Sequence, residues 1–284
     1  MIIDSHLHVW DRSKSVYAWL GPHLPEVNRD VTLDEIRPGL GANGVTHVVL
    51  VQSADEPGDT DNMLAVAAAN RVVAGVVGWV PLEDPAAAER RLGILLQNPL
   101  IVGIRNLIHD RPDPDWVLRP AFDAGLSLLE EAGLPFDYVT AAPQALAQLR
   151  VVADRHPKLN IVLDHLGKPP IDGSVQALDQ WGEDLREVAS RPNVYAKISG
   201  LYAVHGPAWS WTSGQVADAA NIALDAFGPN RIMYGGDWPM STMAGGYERV
   251  LGSMRAATAS WSPYLRSKFY AENAMEFYSL SLRP

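Results

Sequence analysis

Residues 72–80 read VVAGVVGWV, and this stretch decides the fold class. It is short, rich in β-branched residues and apolar on both faces. That pattern suits a parallel strand covered by a helix on one side and by barrel core on the other. Outward from it, similar runs recur at 2–9 (IIDSHLHV), 45–52 (VTHVVLVQ), 101–107 (IVGIRNL), 135–139, 160–165 (NIVLDH), 194–199 and 231–237 (RIMYGGD). The segments between them are long enough for crossover helices, with the clearest helical patterns at 86–96, 141–155, 178–189 and 216–227. Gly44, Gly133 and the Gly228-Pro229 pair stand where helices should stop, and Pro85 stands where one should start. Eight such units in 284 residues predict an α/β (β/α)₈ TIM barrel occupying residues 1–284 as one domain. An open doubly wound sheet would carry a glycine-rich phosphate loop after its first strand, whereas residues 7–20 here read LHVWDRSKSVYAWL. The tail after Tyr264 reads as a closing helix, with Phe269, Phe277 and Tyr278 packed on the barrel.

Composition narrows the function classes. There are 33 acidic and 23 basic residues, a formal net charge of -10, which argues against a general nucleic-acid surface and leaves a small-molecule partner as the expectation. The chain has no cysteine, so disulfides and a thiolate nucleophile are excluded. No basic region followed by a long apolar stretch opens the sequence, and no apolar run approaches the length of a bilayer span. The expectation is a soluble cytoplasmic protein that binds no membrane.

Polar residues at strand ends carry the chemical signal. His6 and His8 lie two apart in a strand, so both should point inward, with Asp4 on the same face and Ile3, Ser5 and Leu7 turned away. An inward barrel face normally holds apolar packing, so paired imidazoles there point to a polar role, holding either a divalent metal or a polarised carbonyl. Asp237 closes the eighth run in YGGDWP, where Gly235 and Gly236 leave space beside it. First and last strands are neighbours in a barrel, so Asp237 should face the histidine pair and serve as a proton acceptor. His165 ends the sixth run, Asp164 should point to the opposite face, and Lys168 reads as a surface charge in the following loop. Arg105 interrupts an apolar run and must either pair internally or clamp a substrate anion; Lys197 poses the same question. Gln52 is placed to bond a hydroxyl or to cap a loop. Trp10, Tyr17, Trp19, Trp79, Trp209, Trp211 and Trp238 follow strand ends and suggest an aromatic wall for a cyclic ligand, while His109, Arg111 and Asp113 suggest part of a lid.

The segments DSHLHVWD, YAWL, VVLVQ, VAGVVGWVPLEDP, GIRNLIHDRPDPDWVLRP, IVLDHLGKP, VYAKISGL, FGPNRIMYGGDWP and the terminal ENAMEFYSL together run almost end to end. In that order they resemble the amidohydrolase superfamily, and within it the lactonase-like branch acting on sugar-acid lactones and on pyrone dicarboxylate lactone. The likeness is strongest to lactonases of the L-fucono-lactone type. The resemblance implies a carboxylic ester hydrolase in which water opens a lactone ring, with Asp237 as base and Arg105 contacting the lactone. It implies one divalent metal ion, zinc first, held by His6, His8, His165 and Asp237. A metal-free site is also known in this branch, and there the same residues would hold the carbonyl by hydrogen bonds. The binuclear branches carry a bridging Lys or Glu on strand four and a histidine on strand five. Here those strands offer Arg105 and LPFDYV, which speaks against two metals. A pyrone or muconolactone-type dicarboxylate lactone, a decarboxylation within the same superfamily, and a non-catalytic small-molecule binder are the alternatives.

Overall fold

The structure, a computed structural model, describes residues 1–108, 111–139, 144–202 and 207–282. Strands and helices alternate: β1 (Ile2–Leu7), α1 (Leu33–Ala42), β2 (Val45–Val51), α2 (Pro57–Ala69), β3 (Val73–Gly78), α3 (Pro85–Leu95), β4 (Ile101–Asn106), α4 (Pro120–Ala132), β5 (Phe136–Tyr138), α5 (Ala145–Arg155), β6 (Ile161–Leu163), α6 (Val175–Ala189), β7 (Val194–Ile198), α7 (Ser213–Phe227), β8 (Ile232–Tyr234) and α8 (Tyr247–Ala257). The eight strands form one parallel sheet in the order of the chain. The sheet closes on itself beyond β8, where the Asp237 N–H donates to the His6 carbonyl and the His8 N–H to the Trp238 carbonyl, each at 2.8 Å. This is the (β/α)₈ barrel that the recurring apolar runs predict. Proline occupies the first position of α2, α3 and α4, where a missing N–H costs nothing.

Two apolar layers hold the barrel. The larger lies between strands and helices and includes Val48, Leu50, Val76, Ile104, Phe136, Ile161, Ala196 and Tyr234. The smaller fills the barrel interior: Ile3, Val49, Val51, Val77, Val102, Val162 and Met233 pack against Ala271, Ala274, Phe277, Tyr278 and Leu280. The latter group comes from the tail, where α9 (Pro263–Ser267), a π-helical turn (Lys268–Glu272) and α10 (Asn273–Phe277) run on from one another. The tail therefore stops the N-terminal mouth of the barrel, and the C-terminal mouth remains for the site. Among the described residues no helix is long and apolar enough to cross a membrane.

One local irregularity corrects the expected strand faces. Asp4 pairs with Val48 and Leu7 with Leu50, so β1 spends three steps where β2 spends two. That extra residue is a bulge, and it reverses the inward parity partway along the strand. Ile3 accordingly lies in the barrel interior, and His6 does too. Asp4, expected beside the histidines, turns instead to the β1/β8 seam, accepting from the backbone N–H of His6 (3.0 Å) and Gly236 (2.8 Å) and from the Tyr247 hydroxyl (2.8 Å). A Cβ on Gly236 would stand 2.5 Å from that carboxylate and 2.3 Å from the Tyr247 ring, so only glycine fits there.

Candidate active site

The histidines of β1 are fixed by their outer nitrogens. His8 Nδ1 lies 2.7 Å from the Val51 carbonyl, which can only accept, so Nδ1 carries the proton and Nε2 presents a lone pair. Nε2 of His8 is 3.1 Å from Nε2 of His6 and 3.4 Å from Asp237 Oδ1, and His6 Nε2 is 3.7 Å from the same oxygen. His165 packs edge-on to the His6 ring at 4.6 Å, with its Nδ1 held 2.8 Å from the Ser199 hydroxyl. His165 and Asp237 both lie beyond the ends of their strands, in left-handed backbone at φ 56° and 52°. Gly200, at φ 55°, passes directly behind them; a Cβ there would stand 2.6 Å from His165 and 2.8 Å from Asp237. All four side chains are buried.

Burial pushes the imidazoles of His6 and His165 well below the usual histidine range, helped by the Lys197 and Lys168 ammonium groups respectively. Both are therefore neutral near pH 7 and able to offer lone pairs. Burial would raise Asp237, but the adjoining His165 and His8 imidazoles and the Lys168 charge outweigh it and bring the carboxyl down to about 2. Zinc is held by such donors at roughly 2.1 Å, so donors around a tetrahedral ion stand about 3.4 Å apart. The spacings among His6, His8 and Asp237 match that edge, and donor atoms of His6, His165 and Asp237 all lie within 4.8 Å of one another. This buried His/Asp cluster can coordinate a divalent metal.

Beneath it lies a second charged cluster. His6, Asp137 and Asp164 also bring donor atoms within 4.8 Å of one another, but the Lys197 ammonium stands among them, 2.5 Å from Asp137, 3.1 Å from Asp164 and 3.2 Å from His6 Nδ1. An internal cation thus fills the space that a second metal would need. Arg105 donates to Asp164 at 3.0 Å and to the Gln52 carbonyl, and its Nε reaches the Gln52 side chain at 3.3 Å. Of the two alternatives for Arg105, internal pairing is present, and the guanidinium still borders the cavity above. Asp164 overturns its expected direction: β6 ends at Leu163, and the turn over Asp164–Gly167 brings Asp164 inward to Arg105 and Lys197. Neither Asp137 nor this pairing was singled out in the sequence. A charged residue inside the short apolar run at 135–139 was the available signal.

Over both clusters opens a cavity of ≈ 210 Å³, with His8, Arg105, His165, Lys168 and Asp237 on its polar side and Trp19, Leu107, Val139, Met240 and Met243 on its apolar side. Among the seven aromatics expected in a wall, only Trp19 lines it. Trp10 stacks behind Trp19 at 5.4 Å, Trp211 and Trp238 are buried elsewhere, and Trp209 is exposed. Gln52 does not reach the cavity, because its side chain is spent on Arg105 and Asp55. Lys168 is no surface charge; it lies in the cavity wall. Of the lid residues, Arg111 pairs with Asp55 at 2.6 Å and Asp113 with Arg119, while His109 lies outside the described residues.

The family model for amidohydrolases matches residues 3–280 of the chain. The chain belongs to the amidohydrolase family. This amidohydrolase is 32% identical to an L-fucono-1,5-lactonase of Burkholderia ambifaria, over 98% of its own length and 95% of that protein's. It superposes with a TM-score of 0.89 on the crystal structure of a Burkholderia multivorans amidohydrolase with bound zinc, at 30% identity and covering 99% of this chain and 100% of that one. A 2,6-dihydroxybenzoate decarboxylase from Rhizobium shares the fold alone, with a TM-score of 0.66 and 16% identity over 98% of each chain. The amidohydrolase assignment and the His/Asp cluster support a hydrolytic reaction on a small cyclic substrate.

Proposed function

We propose that this amidohydrolase opens the ring of a small sugar-acid lactone of the L-fucono-lactone type. The observation that carries the reading is the Asp237 carboxylate, ionised and buried beside three imidazoles on the floor of the cavity. Asp237 accepts a proton from the attacking water as its oxygen bonds to the ring carbonyl carbon. It then returns the proton to the ring oxygen as the carbon–oxygen bond breaks. Arg105, at the cavity wall, donates to the carbonyl oxygen. His6, His8, His165 and Asp237 would hold a divalent ion, which when bound supplies Lewis acidity at the carbonyl and acidifies water. The substrate class is supported by the likeness to L-fucono-1,5-lactonase and by charge. A dicarboxylate lactone asks for two unpaired cations, whereas Arg105 is already paired with Asp164 and Lys168 is left alone among the described cavity cations.

Titration of acid release from L-fucono-1,5-lactone and related aldonolactones by the purified protein, with metal content measured before and after strong chelation, tests the reading. Ring opening of a sugar lactone is expected. Activity lost together with the metal would place the histidines in ion binding, and full activity in metal-free protein would leave polarisation to Arg105 and the imidazoles. Gas evolution from hydroxybenzoates without opening of any lactone would replace the reading with decarboxylation.

A further inference from the structure

Four consecutive residues, His165, Leu166, Gly167 and Lys168, run through left-handed backbone at φ 56°, 53°, 67° and 61°. Such a conformation costs about 1–2 kcal/mol for each residue bearing a side chain and is ordinarily visited singly. Surrounding contacts hold it: Leu166 is fully buried, its carbonyl accepts from the Trp181 indole at 3.0 Å, and the Lys168 N–H closes on the His165 carbonyl at 2.9 Å. In so tight a turn, side chains three apart share one face. His165 and Lys168 consequently enter the cavity together.

Lys168 differs from the other cations of the site in what it touches. Arg105 has Asp164, and Lys197 has Asp137 and Asp164. Among the described residues Lys168 Nζ has no carboxylate within 4.0 Å and makes one long hydrogen bond, 3.4 Å to the Gly200 carbonyl. The Tyr202 ring stands 5.7 Å from it. An ammonium group drawn into a cavity wall and left with donors to spare is arranged for an anion that arrives with the ligand. Opening a neutral lactone creates one: negative charge gathers on the carbonyl oxygen and remains as the product carboxylate.

We infer that Lys168 is the anion anchor of the site, a residue that contacts the lactone oxygens as charge develops and holds the carboxylate formed. This rests on the lactonase reading for the identity of the anion, and not for its existence. Losing a donor aimed at developing charge lowers turnover by roughly 10²-fold or more, with KM moving less.

Calorimetry with sodium L-fuconate and with neutral L-fucitol, on the wild type, Lys168→Met and Lys168→Arg, tests the anchor without needing turnover. The expected result is L-fuconate binding weakened at least tenfold in Lys168→Met and largely kept in Lys168→Arg, with L-fucitol binding unchanged. Thermal melts of each variant report folding, and Lys168→Gln takes the place of the methionine variant if that one is unstable, with L-fuconate again weakened at least tenfold and L-fucitol unchanged. Equal loss of both ligands, no loss of L-fuconate, or no L-fuconate binding by the wild type overturns the anchor. Turnover of L-fucono-1,5-lactone by the wild type is scored separately: binding through Lys168 without ring opening ends the lactonase reading and leaves the anchor standing.

Discussion

Two buried charge clusters are stacked in this barrel, and they are built on opposite plans. The lower one, Lys197 and Arg105 with Asp137 and Asp164, has two cations and two anions, and each is paired within it. The upper one, His6, His8, His165 and Asp237, has three imidazoles and one carboxylate, and its His8, His165 and Asp237 line a cavity. Burying charge is expensive unless partners satisfy it. The lower cluster meets that cost internally and so acts as a rigid floor, with Lys197 and Asp164 both against His6 Nδ1. The upper cluster leaves its lone pairs and its anion facing the cavity, where a ligand can use them. The difference separates groups that position from groups that react.

The comparison can be broken most directly at Asp237. Asp237→Asn keeps the size and removes the anion, so turnover on the lactone should fall by roughly two to four orders of magnitude while the thermal midpoint stays close to that of the wild type. Near-normal turnover would move the proton acceptor elsewhere. In the lower cluster the main effect should be on stability. Lys197→Met strands Asp137 and Asp164 without their shared cation, and an uncompensated buried charge costs about 3–5 kcal/mol, readable from urea unfolding. A loss under about 1 kcal/mol would mean that the floor is not held by charge.

Asp4 sharpens the contrast, because it is as buried as Asp164 and Asp237 but has only N–H and hydroxyl partners. Burial pushes its carboxyl up to about 6, while Lys197, His6 and Arg105 carry Asp164 well below the ordinary carboxylate range and His165, His8 and Lys168 carry Asp237 to about 2 despite their burial. The folded chain therefore retains a proton on Asp4 that the unfolded chain releases. Its contribution favours folding at low pH and is lost as pH climbs from about 4 to about 6, a swing of about 3 kcal/mol. Unfolding free energies at about pH 4.5 and about pH 7 should show a smaller decline in Asp4→Asn than in the wild type. Identical declines would assign the carboxyl an ordinary pKa. The smallest effect is expected at the barrel base, where the Tyr278 hydroxyl donates to both oxygens of Asp137 at 2.8 and 2.9 Å. Tyr278→Phe should cost about 2 kcal/mol of stability and leave turnover nearly unchanged. A large loss of turnover would make the tail part of the chemistry.

Local chain signals were enough for the barrel. Alternating β-branched runs and helix stop signals act within a few residues, and the observed strands fall inside all eight expected runs. The same local logic singled out His6, His8, His165, Asp237 and Arg105, because a polar residue at the end of an apolar run stands out without knowledge of its neighbours. What it missed depended on partners distant in sequence or on backbone that departs from the regular period. The bulge in β1 moved Asp4 off the histidine face and Ile3 into the core. The left-handed turn after β6 brought Asp164 and Lys168 inward, although a continued strand would have turned Asp164 away. Lys197 finds Asp137 across 60 residues, and Gln52 is claimed by Arg105 across 53. Short-range periodicity gives each residue a face only while the backbone stays regular, and it says nothing about which charge meets which. Closing the barrel settled both, because only then were the strand ends close enough for burial to force every charge to find its partner.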